Sequence, residues 1–486
     1  MIEQINPLSY IDFYKADHRR QYPEGTTLVY ANFTPRMTRM TGVDKVVVFG
    51  LQFFCKEYLI DRFNKYFFNQ PREAVVAWYK RRMDTSIGPD AITVEHITAL
   101  HDLGYLPIAI KALPEGSICG LKVPCLTIVN TLPEFFWLPN YMETLLSVEL
   151  WKPMTSATTA LQYRRMFDKY AELTGYDKDF VQWQGHDFSM RGMSGTEDAM
   201  ISAAGHLLSF TGTDCVCALD FIEMFYNADA TTELIGGSVP ATEHSVMCMG
   251  GQADEIGTFR RLITELYPAG VVSIVSDTWD FWQVVTEYVP ALKAEILARN
   301  GRVVLRPDSG NPVHIICGDP EAEDAHVRKG AYECLWETFG GHVNAKGYKM
   351  LDTHIGLIYG DSITLERQRL ILEQLEAKGF AFSNGVLGIG SYTYEYVTRD
   401  TFGFAMKATY GVVNGEGRNI FKDPKTDSGF KKSAKGMLCV LEDGSLKDEC
   451  TAEEEACGML REVFRDGVLL VDEKFSDIRA RLRGNA

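Results

Sequence analysis

Through the middle and later chain, short apolar runs alternate with longer stretches whose apolar positions recur every three or four residues. Residues 271–275, 303–305 and 355–359, and the shorter 386–387, are nearly unbroken β-branched and aliphatic runs. That is the pattern of strands covered on both faces. Each run is left through Gly, Asp, Ser or Arg. Helical patterns stand between runs, as at 197–210 and 365–378. Repeated strand-then-helix units predict a parallel sheet with helices outside. At least six such units from about residue 180 favour closure into a (β/α) barrel over an open doubly wound sheet. In a barrel, the C-terminal strand ends converge on one site.

The flanks read differently. Residues 107–131 alternate in short runs broken by Pro-Glu-Gly, Gly120 and Pro124, which predicts antiparallel strands. Residues 46–60 predict a helix with Phe49, Phe53 and Phe54 on one face, and 135–150 and 158–173 predict two more. From 401 strand-like runs return, with a turn over 410–417, and 448–483 reads as acidic helices. The expected fold class is α/β: an irregular (β/α) barrel with an additional mixed α+β domain built from both chain ends. Residues 1–150 form its N-terminal α+β region, 151–400 the barrel, and 401–486 a β-rich and helical region packing on the N-terminal part. The first 40 residues mix aromatics with cations, an arm that docks on its own subunit or reaches a neighbour.

Composition narrows the partners. The chain has 486 residues, 46% hydrophobic and 23% charged, with a net charge of -16. Its pI is about 5.2. Nucleic acids and anionic membranes need a positive field, so both are poor partners. An anionic ligand must meet a local cluster of cations. Residues 407–436 carry seven cations against three acids, which suits either a solvated loop or phosphate. No secretion signal, no uncharged run of membrane-spanning length and no C-x-x-C pair is present among the 11 cysteines. This predicts a cytoplasmic protein with reduced thiols.

Candidate chemistry sits at the predicted strand ends. In V-V-L-R-P-D-S-G-N-P (303–312), Arg306 and Asp308 follow a buried strand at a turn. The guanidinium can fork onto phosphate, and the carboxylate can accept from ribose hydroxyls or hold Mg²⁺. A salt bridge at a tight turn is the alternative. Gly360-Asp361-Ser362 and Gly388-Ile389-Gly390-Ser391 open into predicted helices, where backbone N–H groups can approach a phosphate. His244, in E-H-S before a predicted helix, is a candidate for proton transfer or nucleophilic attack, or a structural histidine. Asp277, Asp280 and Asp308 suit Mg²⁺ held jointly with a diphosphate. H-x-x-x-H spacing is absent, which argues against a dedicated zinc site.

The ordered set F-S-M-R-G (188–192), G-T-D (212–214), S-V-P-A-T-E-H-S (238–245), V-S-D-T-W-D (275–280), L-R-P-D-S-G-N-P (305–312), Y-G-D (359–361), T-R-D (398–400) and F-K-D-P (421–424) resembles the nicotinamide phosphoribosyltransferases, within the type II phosphoribosyltransferase family. D-F-Y-K (12–15) and Q-Y-P (21–23) fit as well. The resemblance runs from about residue 7 to 436. It implies a homodimer with shared sites that joins nicotinamide to 5-phosphoribosyl 1-diphosphate with Mg²⁺, assisted by ATP through a phosphohistidine. It implies that Phe188 and Tyr14 of the partner subunit sandwich the pyridine ring, with Asp12 and Ser238 also in the substrate site. Asp214 would accept from the carboxamide, or else only cap its turn. Arg191 and Arg306 would lie near base and diphosphate. Asp308, which also serves Mg²⁺, would share the ribose hydroxyls with Asp361, beside Gly360 and Ser276. Gly388 and Gly390, with Arg399 and Lys407 of the partner subunit, would hold the 5-phosphate. His244 would be phosphorylated, and Arg36, Lys422 and Lys431 (or Lys432) of the partner subunit would meet diphosphate or ATP. The chain departs from the pattern at G-I-G-S-Y, which has fewer glycines. A nicotinate phosphoribosyltransferase and a non-catalytic signalling protein on the same fold are the alternatives.

Overall fold

A computed structural model describes residues 5–360, 362–421 and 434–485. The chain divides into two compact units, residues 1–158 with 221–229 and 397–485, and residues 159–220 with 230–396.

The first unit is built on a seven-stranded antiparallel sheet. Its strand order is Glu416–Asn419, Ala405–Val413, Thr26–Thr34, Leu126–Asn130, Ile108–Ala112, Arg461–Arg465, Val468–Leu469. Chain-end strands thus pair with early ones, as in the register Tyr30↔Tyr410 on one side and Tyr30↔Val129 on the other. The turn expected over 410–417 is confined to Asn414-Gly415, both at positive φ. That pair is suited to a two-residue hairpin, because the turn's twist matches the strands. Asp466-Gly467 does the same between Arg461–Arg465 and Val468–Leu469. Residues 448–483 are therefore not all helix. The charged residues flanking Phe464 obscure a strand whose Phe464 is fully buried, and only Ala452–Ala456 and Phe475–Asn485 are helical.

Two further expectations change. Residues 46–60 begin as the strand Lys45–Val47, and the helix starts only at Leu51. Gly50 separates them at φ 100, where a Cβ would fall 2.6 Å from the Pro153 ring. The helices expected at 135–150 and 158–173 merge into one, Glu143–Thr174, with Pro153 inside it. A helix-interior proline costs about 3 kcal/mol. Burial of Met154, Ala157, Ala160 and Leu161 offsets that cost.

The second unit carries six parallel strands in the order Gly212–Thr213, Gly185–Asp187, Gly385–Ile389, Ile355–Tyr359, Val303–Arg306, Val272–Val275. Residues 237–242 close the ring. Gly237 pairs with Gly212 on one edge and Ala241 with Ser273 on the other, both parallel. Thr242 N–H donates to the Ser273 carbonyl, and Val275 N–H to Thr242 Oγ1. The expected barrel is thus present, with an irregular seventh stave. Along the strands Val303, Leu305, Ile355, Leu357, Leu387 and Ile389 face the outer core. Their alternates Val304, Ile358 and Val386 face an internal cavity, the period of two that a strand imposes. No helix among the described residues is long and apolar enough to cross a membrane.

Candidate active site

Barrel interiors are ordinarily filled with side chains. Here a cavity of about 400 Å³ remains. Phe180, Trp183 and Phe188 supply aromatic wall, and His186, Asp214, Ser238 and Arg306 supply polar atoms. Phe188 leaves the strand Gly185–Asp187 two residues after His186, so the two rings share a face, with centroids 4.5 Å apart. A Cβ on Gly388 would lie 2.5 Å from the Phe188 ring. Glycine at 388 is what lets that ring lie against the strand.

Asp214 projects from the end of Gly212–Thr213. Its Oδ1 accepts from Ser238 Oγ at 2.7 Å and, with Nε2 protonated, from His186 at 2.9 Å. Both bonds fall on Oδ1. Burial opposes its charge, but the His186 and Ser238 bonds and the Arg306 guanidinium outweigh that and hold the carboxyl below its ordinary value. A bare turn cap would not need two side chains aimed at it.

The second cluster gathers at Val303–Arg306 and Val272–Val275. Arg306 Nη2 donates to the Thr242 carbonyl at 2.5 Å, and its Nε lies 3.7 Å from Asp308 Oδ2. This is the salt bridge at the turn that the sequence left as the alternative, too long to be a hydrogen bond as well. Gly360 gives Asp308 its room, since a Cβ there would collide with Asp308 Oδ1. Asp277 joins the group: Oδ2 accepts from Asp308 N–H at 2.9 Å and Ser309 Oγ at 2.6 Å, and Oδ1 meets His244 Nε2 at 3.2 Å. Burial works against the Asp277 charge, but these bonds and His244 outweigh it and lower its carboxyl. His244 itself is about half exposed.

The barrel unit therefore brings together Phe188, Asp214, Ser238, His244, Arg306, Asp308, Gly360 and Gly388. Ser276 is fully buried, and its hydroxyl donates back to the Ile274 carbonyl. Arg191 is exposed on the turn Met190–Gly192. Gly390 has open space beside it. Of the two glycine turns, Gly390 directly precedes the helix Ser391–Tyr394 as expected, and the other differs. Helix Leu365–Ala377 starts behind Thr364, which caps it through Arg367 N–H, so Gly360 does not open directly into a helix. Asp361, Lys422, Lys431 and Lys432 lie outside the described residues. Sequence reasoning left out His186 and the role of Asp277 as a link. The i, i+2 spacing of His186 and Phe188 and the acid two residues after the run 271–275 were the available signals.

The other expected residues lie in the first unit. Lys15 and Lys407 meet Glu143, and Arg36 and Arg399 lie near Lys407, with Asp400 against Arg399. Lys15 Nζ is 2.5 Å and Lys407 Nζ 3.9 Å from that carboxylate. Burial, with Arg36, Lys15 and Arg399, lowers the Lys407 ammonium despite Glu143. Burial, then Arg399, lowers Arg36. Like charges held this close are relieved by an anion. Tyr14 is 58% exposed nearby in the chain, and Asp12 accepts from Thr144 Oγ1 at 2.7 Å. Among the described residues no group of three or more His, Cys, Asp or Glu side chains is arranged to hold a metal.

Comparison with known proteins gives the family. Residues 183–468 match the nicotinate phosphoribosyltransferase (NAPRTase) family, and residues 6–110 match the nicotinamide phosphoribosyltransferase N-terminal domain. The nicotinamide phosphoribosyltransferase of Acinetobacter baylyi is 59% identical, the match covering 99% of this chain and 97% of that one. That of Mycoplasma pneumoniae is 34% identical, covering 86% and 92%. The crystal structure of human nicotinic acid phosphoribosyltransferase superposes with a TM-score of 0.58 at 16% identity, covering 98% and 93%, a likeness of fold. With its N-terminal domain of the nicotinamide type and its barrel closed around Phe188, Asp214 and Arg306, the chain belongs to the nicotinate phosphoribosyltransferase (NAPRTase) family.

Proposed function

We propose that this protein is a nicotinamide phosphoribosyltransferase: it joins nicotinamide to 5-phosphoribosyl 1-diphosphate, releasing nicotinamide mononucleotide and diphosphate, in NAD biosynthesis. The observation that carries this is Asp214, a carboxylate that lines the same cavity as the Phe188 ring and is held through Oδ1 by His186 and Ser238. It accepts from a carboxamide NH₂, and it repels the carboxylate of nicotinate. Phe188 stacks on the pyridine and aims its nitrogen at the ribose, so much of the rate comes from orientation. Arg306 stabilises the charge of the departing diphosphate, and Asp308 accepts from ribose hydroxyls.

Mg²⁺ belongs to this reading as a companion of the diphosphate. Asp277 already engages both its oxygens. Magnesium is commonly held by one or two carboxylates plus substrate phosphates, and Asp308 would be the carboxylate to share it with the diphosphate. When bound, the ion neutralises charge on the leaving diphosphate. ATP acts through His244, whose half-exposed ring is oriented by Asp277. The first-unit cations suit the phosphates of a neighbouring subunit's ligand, which supports a homodimer with shared sites. A cytoplasmic location fits the free thiols.

The test is direct. The protein is incubated with 5-phosphoribosyl 1-diphosphate, Mg²⁺ and either nicotinamide or nicotinate. Nicotinamide mononucleotide is expected in clear preference. Preferential turnover of nicotinate would make the protein a nicotinate enzyme, and no turnover by folded dimer would make it non-catalytic.

A further inference from the structure

The base pocket is followed directly by two thiols. Cys215 and Cys217 have their Sγ atoms 3.6 Å apart, in van der Waals contact. Side chains two apart on a helix do not face each other. These two meet because Cys215 precedes helix Val216–Tyr226 and its backbone turns on Thr213. Cys215 N–H donates to Thr213 Oγ1 at 3.0 Å, and that hydroxyl donates to Asp187 Oδ2 at 2.9 Å. Cys215 is buried, whereas Cys217 is partly open to solvent.

We propose that Cys215 and Cys217 form a reversible oxidation site, at which a small-molecule disulfide of the glutathione class converts the two thiols into one intramolecular disulfide and weakens the base pocket. The partly open Cys217 thiolate attacks the external disulfide, forming a mixed disulfide and releasing one thiolate. The Cys215 sulfur then attacks the Cys217 sulfur. The Cys215–Cys217 bond forms, the second external thiolate leaves, and the Cys215 proton goes with it. The protein loses two electrons and two protons, and the external disulfide becomes two thiols. The order follows from the surroundings: burial, then the Asp187 carboxylate, pushes the Cys215 thiol up to about 12, so it is the poorer first nucleophile.

Closing the bond brings the sulfurs to about 2.05 Å. Cys215 stands between Asp214 and the helix that carries Cys217, so drawing the two sulfurs together pulls on the backbone at Asp214, the residue before it. Asp214 depends on side-chain bonds to His186 and Ser238 and on its N–H to the Asp187 carbonyl. A bridge between residues two apart is strained, so it forms at oxidising poise and is readily reduced. The effect on the base rests on the pocket assignment made above; the oxidation does not.

The experiment treats the protein with oxidised glutathione, blocks remaining thiols and maps peptides by mass. A Cys215–Cys217 link lacking two hydrogens and lost on dithiothreitol is expected, with KM for nicotinamide at least about tenfold higher in the oxidised form and kcat changed less. Cys217→Ser, and separately Cys215→Ser, are expected to keep the reduced KM under oxidation. Glutathione retained on Cys217 with Cys215 still free would overturn the site. A complete link with unchanged KM would overturn its coupling to the pocket. The peptide map decides the oxidation site whether or not nicotinamide is turned over, and turnover by reduced protein tests the reaction separately.

Discussion

His244 Nε2 lies 3.2 Å from Oδ1 of Asp277, and the other Asp277 oxygen is bound by Asp308 N–H and Ser309 Oγ. One carboxylate therefore ties the proposed phosphoryl acceptor to the proposed ribose residue. It also occupies Nε2, which leaves Nδ1 as the nitrogen open to phosphate. ATP is expected to yield the Nδ1-phosphorylated isomer, read with isomer-specific antibodies and acid-labile phosphate. His244→Ala should abolish the label and keep weak, ATP-independent synthesis. Asp277→Asn should lower labelling about tenfold or more. Label persisting on His244→Ala would assign the phosphate elsewhere.

Asp214→Ser separates pocket from turn cap. Loss of a charge-assisted acceptor worth roughly 1.5–3 kcal/mol should lower kcat/KM for nicotinamide at least about tenfold and raise the relative use of nicotinate. If the ratio between bases stays fixed while the melting temperature drops, Asp214 serves only the turn.

Shared sites are tested by mixing. Tyr14 and Asp308 fall in different units of one chain. Inactive Tyr14→Ala and inactive Asp308→Ala proteins should, after subunit exchange, form heterodimers in which one site carries neither lesion. Partial recovery of activity is expected. Verified exchange without recovery would put Tyr14 in its own subunit's site.

Two neutral histidines make the fold acid-sensitive. Burial pushes His206 down to about 4 and, with Arg19 nearby, His96 down to about 3. Between those values and the ordinary 6.5 the unfolded chain holds more protons than the native one, so each histidine removes stability as pH falls, by up to about 1.4 kcal/mol per pH unit. Glu115 and Glu255, pushed up to about 7 mainly by burial, slope the other way. The reading is therefore a difference. His96→Phe should flatten the loss in urea midpoint from about pH 6.5 to 4 relative to the parent chain. Parallel profiles would mean that His96 does not titrate in this way.

Legibility in the sequence followed burial. Strands covered on both faces announce themselves by unbroken apolar runs, and Val303–Arg306 and Ile355–Tyr359 were readable for that reason. Arg306 and Asp308 stood out because they leave such a run, whereas Asp214, after the two-residue strand Gly212–Thr213, stood out only through the family resemblance. The strand Arg461–Arg465 did not, because a single buried Phe464 among charges sets no period. Residues 237–242 did not either: S-V-P-A-T contains Pro240 and no run. Pro153 invited a break where tertiary packing keeps one helix.

That irregular stave has a consequence for how the pocket comes into being. One flank of residues 237–242 meets the strand that ends at Asp214, and the other meets Ser273, with Arg306 gripping Thr242. The seam that completes the ring also delivers Ser238 to the pocket and starts the chain toward His244. A ligand bridging Asp214 and Arg306 would act as a stitch across it, stabilising the closed ring by mass action. Amide protons of Thr213, Gly237, Thr242 and Ser273, the bonds that hold the seam, should then report occupancy as a group, gaining exchange protection together while the regular strands stay unchanged.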